Sequence, residues 1–176
     1  MSNSHVPRLP NEKILRRSLI VGEVERLKED GKTVVFTNGC FEILHVGHVR
    51  YLREARALGD CLVVGVNSDQ SVRALKGETR PLVTELERAE VLAALEFVDY
   101  VAIFTELTAE NLISELKPQI YVKGGDYRPE QVPELATVIA CGGKMALVSL
   151  TRERSTTNMI DKIITSCSDS ATGNAE

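Results

Sequence analysis

A chain of 176 residues, 43% hydrophobic and 26% charged, is long enough for one domain with a full core, and its composition excludes a disordered chain. Its formal net charge of −4 excludes a dedicated nucleic-acid binder with a basic excess, while leaving room for a local basic pocket. Tryptophan is absent and aromatics make up 5%, so the core must be aliphatic.

Cys40, Cys61, Cys141 and Cys167 show no CxxC spacing and are expected to be free thiols in a reducing compartment. The start, "MSNSHVPRLP", carries no apolar signal region, and no apolar run approaches the length of a bilayer span. These features predict a cytoplasmic chain without membrane contact. The expected organisation is a flexible arm at residues 1–10, one domain at 11–166 and a small, polar, disordered tail at 167–176.

In chain order, "NEKILRRSLIVGEVERLKEDG" reads as one helix, with Ile14, Leu15, Leu19, Val24 and Leu27 on one stripe and Gly31 as its stop. "TVVFT" is the β-branched run of a buried strand. "HVGHVRYLREARAL" is helical, "CLVVGVN" a strand, "SDQSVRALK" a short helix and "GETRPLV" irregular. "ELERAEVLAALE" is helical and "YVAIF" a strand. "TAENLISELK" is a helix with Thr108 as candidate N-cap, and "QIYV" is a strand. "PELATVIACGG" is helical, "KMALVSL" a strand and "TTNMIDKIIT" a closing helix. Five apolar strands alternating with helices predict an α/β fold: a single Rossmann-like domain whose five-stranded parallel sheet is flanked by helices. Ligands of such sheets bind beyond the carboxyl ends of the strands.

After the first strand comes "NGCFEILHVGH". Gly39 allows a close backbone approach. His45 stands at a helix entrance, His48 lies three residues on along the same face, and Gly47 between them obstructs nothing. A helix N-terminus favours phosphate, and two imidazoles beside it can donate to phosphoryl oxygens. The plainer reading makes one histidine a cap and the other a core residue. A zinc site would have two ligands and lack the rest of a tetrahedral shell.

After the second strand, Lys76, Gly77 and Arg80 fall in a stretch that either folds over an anion or is solvated surface. Arg88 is by default an exposed helix arginine. After the fourth strand, "KGGDY" is either a plain tight turn or a backbone approach to a ligand, with Lys123 and Asp126 flanking Gly124 and Gly125. After the fifth, Ser155, Thr156 and Thr157 offer three hydroxyls at a helix start, more than a cap requires, with Arg154 beside them. Neither a Walker A sequence nor a G-x-G-x-x-G following a strand is present, which excludes a P-loop NTPase and an ordinary dinucleotide dehydrogenase.

"GCFEILHVGH" resembles the G-x-F-D-x-x-H-x-G-H signature of the cytidylyltransferase-like nucleotidyltransferases, and "STT" resembles their second signature. "LGDCLVVGVNSDQSV", "LKGETRP", "ERAEVLAALEFVDYV" and "VKGGDY" are similar to the adenylyltransferase domain of the bacterial ADP-heptose synthases, across residues 33–164. That resemblance implies transfer of AMP from ATP to D-glycero-β-D-manno-heptose 1-phosphate, releasing pyrophosphate with Mg²⁺, in a pathway that feeds lipopolysaccharide core synthesis. It implies that His45, His48 and Lys76 stabilise the charged α-phosphoryl group. Thr37, Asn38, Gly39, Phe41 and Gly47 would line the nucleotide cleft, and Lys123, Gly124, Gly125 and Asp126 would border ribose and base. Arg154, Ser155, Thr156 and Thr157 would hold the terminal phosphates, and Lys76, Arg80 and Arg88 would contact substrate phosphate. No residue is implied as a metal ligand, since Mg²⁺ would be held mainly by phosphates and water. The family-level expectation for partners is a homodimer, with a separate heptose kinase in the same pathway.

Two positions depart from the pattern: Glu42 stands where the signature has aspartate, and Glu153 where this branch has glycine. The alternatives are a glycerol 3-phosphate cytidylyltransferase and, from a different class, a non-catalytic nucleotide-binding regulator.

Overall fold

Valine is the commonest residue of the two central strands. The computed structural model, which describes residues 8–125, 131–148, 159–160 and 162–166, shows why. Strands β1 (Val34–Gly39) and β2 (Cys61–Asn67) pair in parallel from Val34↔Cys61 to Gly39↔Val66, and every residue of β2 is buried. Strands covered on both faces read as unbroken apolar runs. The sheet is completed by β3 (Tyr100–Phe104), β4 (Ile120–Gly124) and β5 (Lys144–Val148), all parallel, in the order β3-β2-β1-β4-β5. The expected five-stranded parallel sheet is therefore present.

Helices α1 (Pro10–Lys13), α2 (Arg17–Glu29), α3 (Val46–Arg56), α4 (Asp69–Lys76), α5 (Glu85–Ala93), α6 (Glu110–Leu116) and α7 (Leu135–Ala140) connect and cover it. Alternation along β1 sends Val34 and Phe36 into one core with Ile20 and Val24 of α2, Leu112 and Leu116 of α6 and Val138 of α7. Val35 enters the other core, with Leu52 and Ala55 of α3 and Ala89 and Leu92 of α5. Among the described residues no helix is long and apolar enough to cross a membrane.

Two local expectations are corrected. The single first helix is broken at Ile14–Arg16, because Ile14 bridges to Val101 of the edge strand and the Leu15 N–H donates to the Val101 carbonyl at 2.9 Å. The apolar pair that fits a helical stripe instead continues the sheet edge. Leu19, placed on that stripe, is 60% exposed. Thr108 is not the cap of α6: Ala109 holds the N-cap position, and the Thr108 hydroxyl donates to Glu110 Oε2 at 2.8 Å.

The chain winds outward from β1 through β2 to β3, then returns to the other side of β1 as β4. The order reverses at β1, so a crevice opens beyond the carboxyl ends of β1 and β4, which is where open α/β sheets bind ligands.

Candidate active site

At that crevice β1 ends in Asn38 and Gly39, and the turn to α3 runs through Cys40, Phe41 and Glu42. Phe41 has φ 45°, a left-handed conformation that costs a non-glycine residue about 1–3 kcal/mol and persists only where the surroundings hold it. Its ring is held in the α3/α5 core, 8% exposed. The strained turn delivers His45 to the N-cap of α3, where its Nδ1 accepts the Gly47 N–H at 3.1 Å. Nδ1 is thus the acceptor nitrogen, and the proton of the neutral ring belongs on Nε2.

His48, one helical turn on, stacks against His45 with ring centroids 3.9 Å apart, and the Phe41 ring meets its edge at 5.3 Å. The plainer sequence reading was half right, since His45 does cap its helix. His48, however, lines the cleft, and among the described residues its buried Nδ1 has no hydrogen-bond partner. Burial, followed by the charges of His45 and Lys76, pushes the His48 pKa down to about 4. The ring is therefore neutral at pH 7, and an anion beside it would raise its pKa.

The cleft has a volume of about 290 Å³ and is walled by the β1 turn, His48 and Tyr51 of α3, Lys76 at the end of α4, and Lys123 and Gly124 of β4. Of the residues singled out in the sequence, Asn38, Gly39, Phe41, His48, Lys76, Lys123 and Gly124 line this cleft together. Gly47 is buried in the first turn of α3, and Gly125, at φ 126°, donates its N–H to the Val148 carbonyl at 3.1 Å. Asp126, Arg154, Ser155, Thr156 and Thr157 lie outside the described residues, as does Glu153.

Three expected contacts sit elsewhere. Thr37 is fully buried, its hydroxyl bonded to the Tyr51 hydroxyl, which donates to the Val122 carbonyl at 2.9 Å. Thr37 therefore holds the strand to α3 from below the cleft. Arg88 is 2% exposed rather than a surface residue. Its guanidinium donates to the carbonyls of Val83 (3.0 Å) and Cys40 (2.5 Å) and to Asp69 Oδ1 (2.8 Å), so it braces the turn from behind. Arg80 donates from Nε and Nη2 to the two oxygens of the Glu42 carboxylate.

Glu42, the departure from the signature, has a role of its own. Its side chain is fully buried, paired with Arg80 and, at 3.4 Å, with Lys76, and it accepts the Leu82 N–H at 2.8 Å. Burial alone would raise its pKa, but Arg80, the Leu82 N–H and the Lys76 charge outweigh it and hold the carboxyl at about 2. The longer side chain anchors the irregular stretch after α4 to the turn between β1 and α3.

Sequence reasoning missed Tyr51, Tyr121 and Glu134. Tyr51 stands three residues after His48 on the same helix face, a readable signal. The other two belong to a chain in which Asn38 Oδ1 accepts the Tyr121 hydroxyl at 2.7 Å, while Lys123 Nζ reaches Tyr121 (3.0 Å) and Glu134 (3.5 Å). No local pattern announces that network. Cys40, Cys61 and Cys141 are free, and Cys167 lies outside the described residues.

A reversing parallel sheet that sets stacked imidazoles and a lysine around a glycine turn is suited to phosphate groups. The chain belongs to the cytidylyltransferase-like family, whose model matches residues 36–160, and is a nucleotidyltransferase. It is 57% identical over 145 residues to the bifunctional protein HldE of Geobacter metallireducens, covering 82% of this chain and 30% of that one. It is 58% identical over 151 residues to the bifunctional protein HldE of Syntrophotalea carbinolica, covering 85% and 30%. The chain thus spans about a third of the length of these curated relatives. Among solved structures, a lipopolysaccharide core biosynthesis protein from Thermoplasma volcanium superposes with a TM-score of 0.57 at 28% identity, covering 70% of this chain and all of that one.

Proposed function

We propose that the protein transfers AMP from ATP to a sugar 1-phosphate, D-glycero-β-D-manno-heptose 1-phosphate, giving ADP-heptose and pyrophosphate. The observation that carries this reading is the pair of stacked imidazoles at the mouth of α3, one of them with a buried nitrogen that has no partner among the described residues. The similarity to HldE proteins, above 50% identity through this segment, supports the choice of sugar.

In the proposed reaction a phosphate oxygen of the sugar attacks the α-phosphorus of ATP. The bond from that phosphorus to the bridging oxygen breaks, and pyrophosphate leaves on the opposite side. His45, with its proton on Nε2, donates to the α-phosphoryl oxygens, and the neutral His48 ring stacked on it can donate its own N–H as charge builds up beside it. Lys76, 34% exposed and held by Glu42 at a long 3.4 Å, can turn to the phosphates without leaving a bare carboxylate, because Arg80 stays on Glu42. Lys123, Gly124 and Gly125 border the nucleoside, together with Asp126. Arg154, Ser155, Thr156 and Thr157 take the terminal phosphates.

Mg²⁺ belongs to this proposal as the companion of the triphosphate, held by phosphate oxygens and water. Glu42, the carboxylate nearest the turn, is committed to two cations and an N–H, which fits a metal carried by the nucleotide. The ion would neutralise charge on the departing pyrophosphate. A sugar kinase must supply the 1-phosphate.

His48→Ala tests the mechanism. Turnover should fall by about 10²–10³ or more while thermal stability stays near wild type. Undiminished turnover would overturn the assignment.

A further inference from the structure

Beside the phosphate cleft lies a second cavity of about 310 Å³, on the side of the sheet covered by α6 and α7. The two share Asn38, Gly39, Cys40 and Lys123 as a common wall, so a molecule in one abuts a molecule in the other at the β1 turn. The second cavity mixes apolar faces such as Leu107 with Asn67, Thr108 and Glu134.

Glu134 is the unusual member. It is 2% exposed, and Lys123 Nζ, its ion-pair partner among the described residues, reaches only Oε1, at 3.5 Å. Among the described residues Oε2 is buried without any hydrogen-bond partner. Nearly all buried polar atoms are paired, and an unpaired carboxylate oxygen in a cavity wall is a strong acceptor held ready for a ligand donor. Asn67, 3% exposed, has its amide nitrogen fixed by Ser71 Oγ at 2.9 Å, which leaves its carbonyl oxygen as a further acceptor in the same wall.

Acceptor oxygens set among aliphatic faces suit a polyol: hydroxyls donate to the oxygens while the C–H faces pack on leucine. We infer that this second cavity holds the sugar ring of the acceptor and that Glu134 reads one of its hydroxyls, with the acceptor's phosphate at the shared wall beside Lys123. This rests on the transferase reading above and deepens it by assigning the specificity-determining carboxylate. The placement also suits the chemistry, since an acceptor entering from the second cavity meets a nucleotide in the first at the turn between them.

The test is steady-state kinetics with ATP and heptose 1-phosphate, and with its monodeoxy analogues, for wild type, Glu134→Ala and Leu107→Phe. Leu107 is 55% exposed, so a larger ring there narrows the cavity without disturbing the core. Glu134→Ala should raise KM for the sugar phosphate at least about tenfold. KM for ATP should stay within about twofold in Leu107→Phe, which alters the second cavity alone, whereas Glu134→Ala also releases Lys123 at the nucleoside border. Wild type should discriminate against one monodeoxy analogue, and the alanine variant should lose that discrimination, which a merely structural role would not produce. Leu107→Phe should raise the acceptor KM as well, and decides the matter if Glu134→Ala fails to fold. A wild type that turns over, alongside variants with an unchanged acceptor KM or with KM for ATP raised instead, overturns this inference alone. A folded wild type silent with every sugar phosphate overturns it together with the transferase reading.

Discussion

Glu42→Gln removes one charge from the most heavily tied side chain of the site and little else in shape. The carboxyl sits at about 2 in the fold against an ordinary 4.5, and at 1.36 kcal/mol per unit that gap corresponds to about 3 kcal/mol. Lys76 is 34% exposed and recovers water when its partner goes, whereas Arg80, 16% exposed, is left largely stranded. The expected loss at pH 7 is therefore about 2–3 kcal/mol. Because the folded pKa is depressed, the charge contribution is complete above 4.5 and disappears as pH falls towards 2. Urea denaturation at pH 7, 5 and 3 reads this directly. The gap between wild type and Glu42→Gln should be full at pH 7 and shrink to less than about half by pH 3. Equal stabilities at pH 7, or a gap that does not change with pH, would refute the claim that Glu42 is an ionised anchor.

Other outcomes follow from the same geometry. His48 should titrate near 4 in the free protein, followed by the NMR signals of its imidazole, and move up by about a unit or more when ATP binds, because a nearby anion favours the charged ring. An unmoved titration would place the phosphates elsewhere. Arg88→Met keeps the aliphatic stem but strands the Cys40 and Val83 carbonyls and Asp69. It should cost about 2–4 kcal/mol in urea denaturation and weaken ATP binding through the loosened turn. Full stability with only the acceptor KM raised would instead make Arg88 a phosphate ligand.

The sheet was legible because its central strands are unbroken valine-rich runs, a pattern that only two covered faces demand. The break at Ile14 was not, since adjacent apolar residues suit a helical stripe and a sheet edge equally, and the partner that decides, Val101, is remote in sequence. The two histidines announced the site through spacing alone. Glu42 was visible as an odd residue, but its meaning lies in Arg80, 38 positions away. Arg88 could have been read better: it lies four residues before Leu92, on the face that α5 buries. Glu134 carried no signal at all, because its environment is assembled from β1, β4 and the segment before α7.

Pyrophosphate release reads the proposed adenylyl transfer to a heptose 1-phosphate without an intermediary. Purified protein with Mg²⁺ would be given ATP, CTP, GTP or UTP, each paired with the β-heptose 1-phosphate, its α anomer or glycerol 3-phosphate. Turnover confined to ATP with the β anomer is the predicted result. Turnover with CTP and glycerol 3-phosphate, or silence across the grid from folded protein that still binds nucleotide, would contradict it.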